Sequence, residues 1–219
     1  MNKIISLFNY FASIKFCLHF FPLKTALKRP IQIHYTVKYH IDKGARIEIS
    51  STLYSNMVKI GIQENGYTQA GRSKIFMGKN SKLTFHGKAI LSKGISIFIE
   101  ENSSIEIGNN FFCNTNCLFR STNNITLGEN VLFGWDIILN TTDGHQLIID
   151  NIQSKVSGDI YIGNHTWIAS YSKISKNVYI ADNCVIGQNS LINKSFKESN
   201  CLIAGIPAII KKKNVIRKD

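Results

Sequence analysis

An imidazole is the side chain that exchanges a proton most readily near neutral pH. The chain holds six histidines, His19, His34, His40, His86, His145 and His165. His145 stands apart, because it falls in a stretch, 143–159, that interrupts an otherwise regular six-residue pattern. Loops of that length between regular elements are often functional. A base there would take the proton of an attacking hydroxyl, an effect worth about 10²–10⁴-fold in rate. Asp143 precedes His145 by two positions, and in an extended segment such residues share a face. Its carboxylate could orient the imidazole or accept a hydrogen bond from a substrate hydroxyl. The residues alone equally allow a surface histidine after an Asp-Gly turn.

The elements that must position this loop are legible as a repeat. From Ile162 an aliphatic residue recurs every sixth position, at Ile168, Ile174, Ile180, Ile186 and Ile192. The residue after each is small or polar: Gly163, Ala169, Ser175, Ala181, Gly187 and Asn193. Four positions after the first five lie Thr166, Ser172, Val178, Cys184 and Ser190. Period six matches neither a helix nor simple strand alternation. It requires short straight pieces joined by regular turns, each sending one aliphatic inward, with coils stacked as parallel strands. Weaker copies run through Ile107, Cys113 and Phe119 and through Leu127, Phe133 and Leu139, and the pattern blurs further upstream. This predicts a mainly β chain. Residues 1–69 form a partly helical N-terminal segment, 70–196 the coil with a protruding loop at 143–159, and 197–219 a basic, non-periodic tail.

Composition narrows the class. The 219 residues are 44% hydrophobic, enough for one sizeable core. The richness in Ile, Asn and Lys carries little chemistry by itself. Net charge is +12, clustered at Lys24, Lys28 and Arg29 and at Lys211, Lys212, Lys213, Arg217 and Lys218. No basic stripe is interleaved with aromatics, so nucleic acid is not an expected partner. Phosphate-bearing ligands are. Five cysteines, an odd number without a CxxC pair, argue against a disulfide framework and for a reducing compartment. Ile4 to Ile14 is uncharged and mostly apolar. It is too short for a membrane span, which takes about 20 residues, and no A-x-A-like cleavage site follows. Residues 1–28 read as an amphipathic segment that packs on the domain or touches a membrane surface; packing is the favoured reading.

The motifs Asp143-Gly144-His145, Ile162-Gly163-Asn164-His165-Thr166-Trp167-Ile168 and Ala204-Gly205-Ile206-Pro207-Ala208, in that order, resemble the hexapeptide-repeat acyltransferases. Among these the chain is most similar to the maltose and galactoside O-acetyltransferases and the capsular polysaccharide O-acetyltransferases. The likeness covers 105–212, and Phe21-Pro22-Leu23-Lys24 to Pro30-Ile31 looks like the capsular group's N-terminal region. The resemblance implies a parallel left-handed β-helix, a homotrimer with sites between prisms, and acetyl-CoA as donor to a sugar or glycan hydroxyl. It implies His145 as catalytic base with Asp143 beside it, a residue that the maltose and galactoside enzymes do not all keep. Asn114 and Asn116 would bind the acceptor, with Trp167 as a flat wall for the acceptor or the pantetheine arm. Ser170 and Ala169 would lie at the thioester, where the Ser170 hydroxyl or a backbone N–H could hold the oxyanion. Gln188, Asn193 and Lys194 would line the coenzyme, although family members often have a small residue where Gln188 stands. Lys194 and Lys212 would meet its phosphates. A cytoplasmic enzyme, peripheral at the inner membrane face if residues 1–28 bind there, is the resulting expectation.

Two other classes of protein could share such a coil. A zinc hydratase on the same prism needs three histidines at ligand geometry, and His145 and His165 are too far apart in sequence for the H-x-x-x-x-H pair; no metal is expected. A sugar-binding scaffold would need neither the loop histidine nor the basic tail. Within the enzymes, an N-acetyltransferase for an amino sugar is the nearest alternative.

Overall fold

The computed structural model describes residues 3–62 and 70–218. Two helices, α1 (Lys3–Cys17) and α2 (Leu23–Lys28), are followed by short strands that wind round a three-faced prism. The first coil comprises β1 (Ile31–Ile33), β2 (Lys38–Ile41) and β3 (Arg46–Ile49), which open the first, second and third faces respectively. Every later coil lays its strands beside these, so all neighbours within a face run parallel until the last strand. This is a parallel left-handed β-helix.

The inward residues form continuous columns. Ile33, Ile60, Leu91, Cys113, Phe133, Ile168, Ile186 and Ile203 sit in one ladder and are all buried. All six repeat isoleucines from Ile162 to Ile192 are buried, as are Thr166, Ser172, Val178, Cys184 and Ser190. Phe111, Phe119 and Phe133 fill the middle coils, with ring centroids 5.2–6.3 Å apart. All five cysteines are buried and unpaired.

The prism begins earlier than the repeat suggests. Its ladders start at Ile31, upstream of the expected boundary at 69/70, part of which (63–69) lies outside the described residues. Upstream coils carry extra residues: strands such as Lys74–Met77 and Ser96–Ile99 hold a second inward side chain, Met77 or Ile99. Parallel pairing needs register only within a face, so a longer coil keeps the ladder while losing the six-residue count.

The non-periodic tail continues the fold. Leu202–Gly205 extends the first face, and Ala208–Lys212 returns antiparallel to it. Arg217 then donates to the carbonyls of Asn130, at 3.1 Å, and Thr166, at 3.5 Å.

The richness in asparagine has a structural use. Residues with positive φ stand in columns at the prism edges: Asn110, Asn130, His165, Asn183 and Asn200 on one, Asn116, Asp136, Tyr171 and Asn189 on another. Asparagine tolerates this left-handed turn better than most residues, because its side chain bonds the local backbone.

Candidate active site

Between the second and third faces the regular turn is replaced by residues 141–159. This insertion is a protruding hairpin, with Ile148–Ile149 antiparallel to Ile152–Gln153 and exposed throughout its tip. Its base is fastened by the Asp143 amide donating to Val156 and the Gly158 amide donating to Thr141. Asp143, Gly144 and His145 occupy the outgoing arm, exposed to solvent.

Within the chain the Asp143 carboxylate is engaged by Lys176, whose ammonium lies 2.6 Å away. The same ammonium donates to the Lys155 carbonyl on the returning arm. Lys176 is a residue that sequence reasoning missed. It follows Ser175 in the repeat, and only the tertiary position of the insertion shows what it faces.

The second group of expected residues lies on a different edge. A groove of about 510 Å³ runs along the first face to its edge with the second, and Asn114, Trp167, Ala169, Ser170 and Gln188 all line it. Its floor is a row of outward apolar side chains in register across the ladder: Phe112, Leu132, Trp167, Val185 and Leu202. Lys212 pairs with Leu202 and so stands at the groove's C-terminal end. The row could have been found in the sequence. Residues just before a column aliphatic point outward, and in the compact coils those on one face recur every third hexad, as Trp167 and Val185 do.

Ser170 is held in a defined state. Its Oγ accepts the Trp135 amide at 3.2 Å, so its own proton is directed elsewhere. The Ala169 amide is bound to the Ile186 carbonyl at 2.9 Å and is not a donor to the groove. The close approach of the two coils requires Gly134, because a Cβ there would lie 2.5 Å from Ser170 Oγ and 2.7 Å from its backbone nitrogen. Asn114 lines the groove while its Oδ1 accepts the Thr115 amide at 3.0 Å.

Not every expected residue enters the groove. Asn116 takes the left-handed corner (φ 61) and bonds Asp136, whose carboxyl is pushed up by burial and pulled back by that bond. Asn193 and Lys194 are exposed and follow the second-face strand Leu191–Ile192, so they share the edge that carries the His145 hairpin. The expected residues thus divide between two edges of one prism, with the second face between them.

A larger concavity, about 720 Å³, lies on the second face nearer the N-terminus, among Phe76, Phe98, Leu118, Arg120 and Glu100. It holds none of the expected residues, and the assignment rests on chemistry rather than size. Among the described residues no group of three or more His, Cys, Asp or Glu could hold a metal ion.

Fold and repeat together define a left-handed β-helix built on a six-residue repeat. Residues 159–194 match the family described as bacterial transferase hexapeptide (six repeats). Galactoside O-acetyltransferase of Escherichia coli (strain K12) is 33% identical over 80 residues, 34% of this chain and 37% of that protein. The match therefore spans little more than a third of that relative. Among solved structures, the polySia specific acetyltransferase NeuO superposes with a TM-score of 0.60 at 20% identity, covering 83% of each chain. The galactoside acetyltransferase solved in complex with coenzyme A gives 0.41 at 18% identity, covering 98% of this chain and 84% of that one.

Proposed function

We propose that this chain is an acetyl-CoA-dependent O-acetyltransferase that acts on a hydroxyl of a sugar in a surface glycan or its precursor. One observation carries the reading. An apolar groove with a directed serine hydroxyl lies on one prism edge, and a histidine-bearing hairpin projects from another at overlapping coils. Two edges of one rigid prism cannot converge, but edges of two copies can, which supports a homotrimer whose sites lie between neighbours. The likeness to an E. coli galactoside O-acetyltransferase supports the sugar hydroxyl as acceptor.

In this arrangement the apolar row from Phe112 to Leu202 takes the pantetheine arm, and Lys212 meets phosphate at the groove's end. Asn114 and Trp167 hold the sugar, whose hydroxyls suit an amide and a flat ring. His145 of the neighbouring copy removes the acceptor hydroxyl proton as the oxygen attacks the thioester carbonyl. Ser170 donates its hydroxyl to the resulting oxyanion. On collapse the C–S bond breaks, and the imidazolium returns the proton to the departing thiolate. Asn193 and Lys194, on the hairpin's edge, face the coenzyme from the second copy. The Lys176 ion pair sets the hairpin's base, so Asp143 acts on the loop and not directly on the imidazole.

The test is incubation of the protein with acetyl-labelled CoA and glycan fractions. Label appearing in saccharide and released by mild alkali supports an ester product. Alkali-stable label would move the reading to an amino-sugar N-acetyltransferase, and no transfer to any fraction would refute it.

A further inference from the structure

Helix α1 buries Phe16 and Cys17 in its last turn, but its earlier turns are built inside out. A helix on a protein surface ordinarily turns apolar residues inward and polar ones to water. Here Asn9 and Ser13 are fully buried, while Ile4, Leu7, Phe8 and Phe11 are 54–62% exposed. The cause is the strand beneath. β1 is the edge of the first face, and an edge strand presents unpaired amides. Asn9 Oδ1 accepts the Tyr35 amide at 2.8 Å, and Ser13 Oγ accepts the Ile33 amide at 3.0 Å. The polar stripe is thereby committed to closing the prism, and the apolar stripe is left facing out. Leu18, Leu23 and Leu27 continue it at 49–63% exposure.

The charge along this part of the chain is of one sign. Lys3, Lys15, Lys24, Lys28, Arg29 and Lys38 precede the first acidic residue of the chain, Asp42. A second copy of the same face would bring like charges together, whereas an anionic lipid surface answers both the apolar stripe and the cations. No described helix is long and apolar enough to cross a membrane, and α1 has 15 residues.

We infer that α1 and α2 form an interfacial docking surface for an anionic phospholipid bilayer. The helices lie in the membrane plane with the aromatic and leucine side chains in the headgroup boundary. The prism stands on this end, and its His145 hairpin and groove belong to later coils and stay open. The inference does not depend on the reaction proposed above.

The experiment is co-sedimentation of the full chain with phosphatidylcholine vesicles, with and without phosphatidylglycerol. A triple variant, Leu7→Asn, Phe8→Asn and Phe11→Asn, alters side chains that lie outside the core and gives up the ring contact of Phe8 with Tyr35, so its circular dichroism should match the wild type and its melting temperature should fall only slightly. Binding to the anionic vesicles, weaker in high salt and at least about tenfold weaker in the variant, is the expected result. Equal recovery on neutral and anionic vesicles, or unchanged binding by the variant, would overturn the inference. So would a shift in oligomeric state of the variant by light scattering without loss of vesicle binding, which would make the face a contact between copies.

Discussion

The Lys176 ammonium lies 2.6 Å from the Asp143 carboxylate and also donates to the Lys155 carbonyl, so one lysine ties both arms of the hairpin to the prism. Its side chain is only 15% exposed, which distinguishes it from the solvated pairs elsewhere on the surface. Lys176→Met should keep the packing of the stem and remove both attachments. A partly exposed pair of this kind is worth about 1 kcal/mol. Amides of residues 144–155 should therefore exchange several-fold faster, with the strands of the prism unchanged. Acetyl transfer should fall chiefly in kcat. Unaltered exchange in the hairpin would show that Lys176 does not hold it.

His145 carries the proton transfer in the proposed route. His145→Ala should lower kcat by about 10²–10⁴-fold. The residue is exposed and outside the core, so melting temperature and oligomeric state should not move. A variant with full activity would remove the assigned base.

Ser170 and Gly134 test the groove from two sides. Ser170→Ala removes the donor and should cost about 10²–10³-fold in kcat, with little change in KM for acetyl-CoA. Gly134→Ala introduces a Cβ 2.7 Å from the Ser170 backbone nitrogen, so the coils must separate locally. Overpacking of this kind costs about 1–3 kcal/mol. Both variants should lose activity, but Gly134→Ala should lose clearly more melting temperature than Ser170→Ala, which gives up only the hydrogen bond from the Trp135 amide, about 1 kcal/mol. Steady-state kinetics beside thermal melts separates the two.

How far the sequence reached depended on what each residue answers to. The isoleucines from Ile162 to Ile192 were legible because each obeys its own coil. The protruding loop that carries His145 was legible because it breaks that order. Coils above Ile107 were obscured, since extra inward residues such as Met77 and Ile99 disturb the count without disturbing the pairing. Lys176 was not legible, because its partner lies in an insertion whose direction no local pattern records. The orientation of α1 was hidden for a related reason. Asn9 and Ser13 look like the water-facing side of an amphipathic helix until the free amides of Ile33 and Tyr35 are placed beneath them.

The buried thiols give a stability prediction with a definite sign. Burial pushes the Cys17 thiol from 9.0 up to about 11 and outweighs the opposing hydrogen bond to Ile31 and the charge of Arg29. Burial likewise holds Cys113 well above its ordinary value. In the unfolded chain these thiols ionise near 9, while in the folded one they stay protonated. Stability from this source is thus complete below pH 9 and is lost as pH rises towards 11. Denaturant midpoints should fall across that window, and less steeply for Cys17→Ala after allowance for its own lower stability. Thiol reagents at pH 8 should modify the native protein slowly and the denatured one at all five positions.

The division of the expected residues between two edges leads to the most discriminating experiment. If each site joins the hairpin of one copy to the groove of the next, His145→Ala and Ser170→Ala damage opposite halves. Neither variant assembled alone should show appreciable activity. Chains of the two variants, unfolded together and reassembled, would restore some sites in which an intact histidine meets an intact serine, about a quarter of them for random mixing. Activity should therefore reappear to roughly that fraction of wild type, and mixing the two folded variants without reassembly should give none. If hairpin and groove served one site within a chain, every site in the mixture would still lack one group, and reassembly would recover nothing. Light scattering on the same samples reports whether the assembly is a trimer, although the quarter expected of random mixing holds for any ring in which each site joins two neighbouring chains.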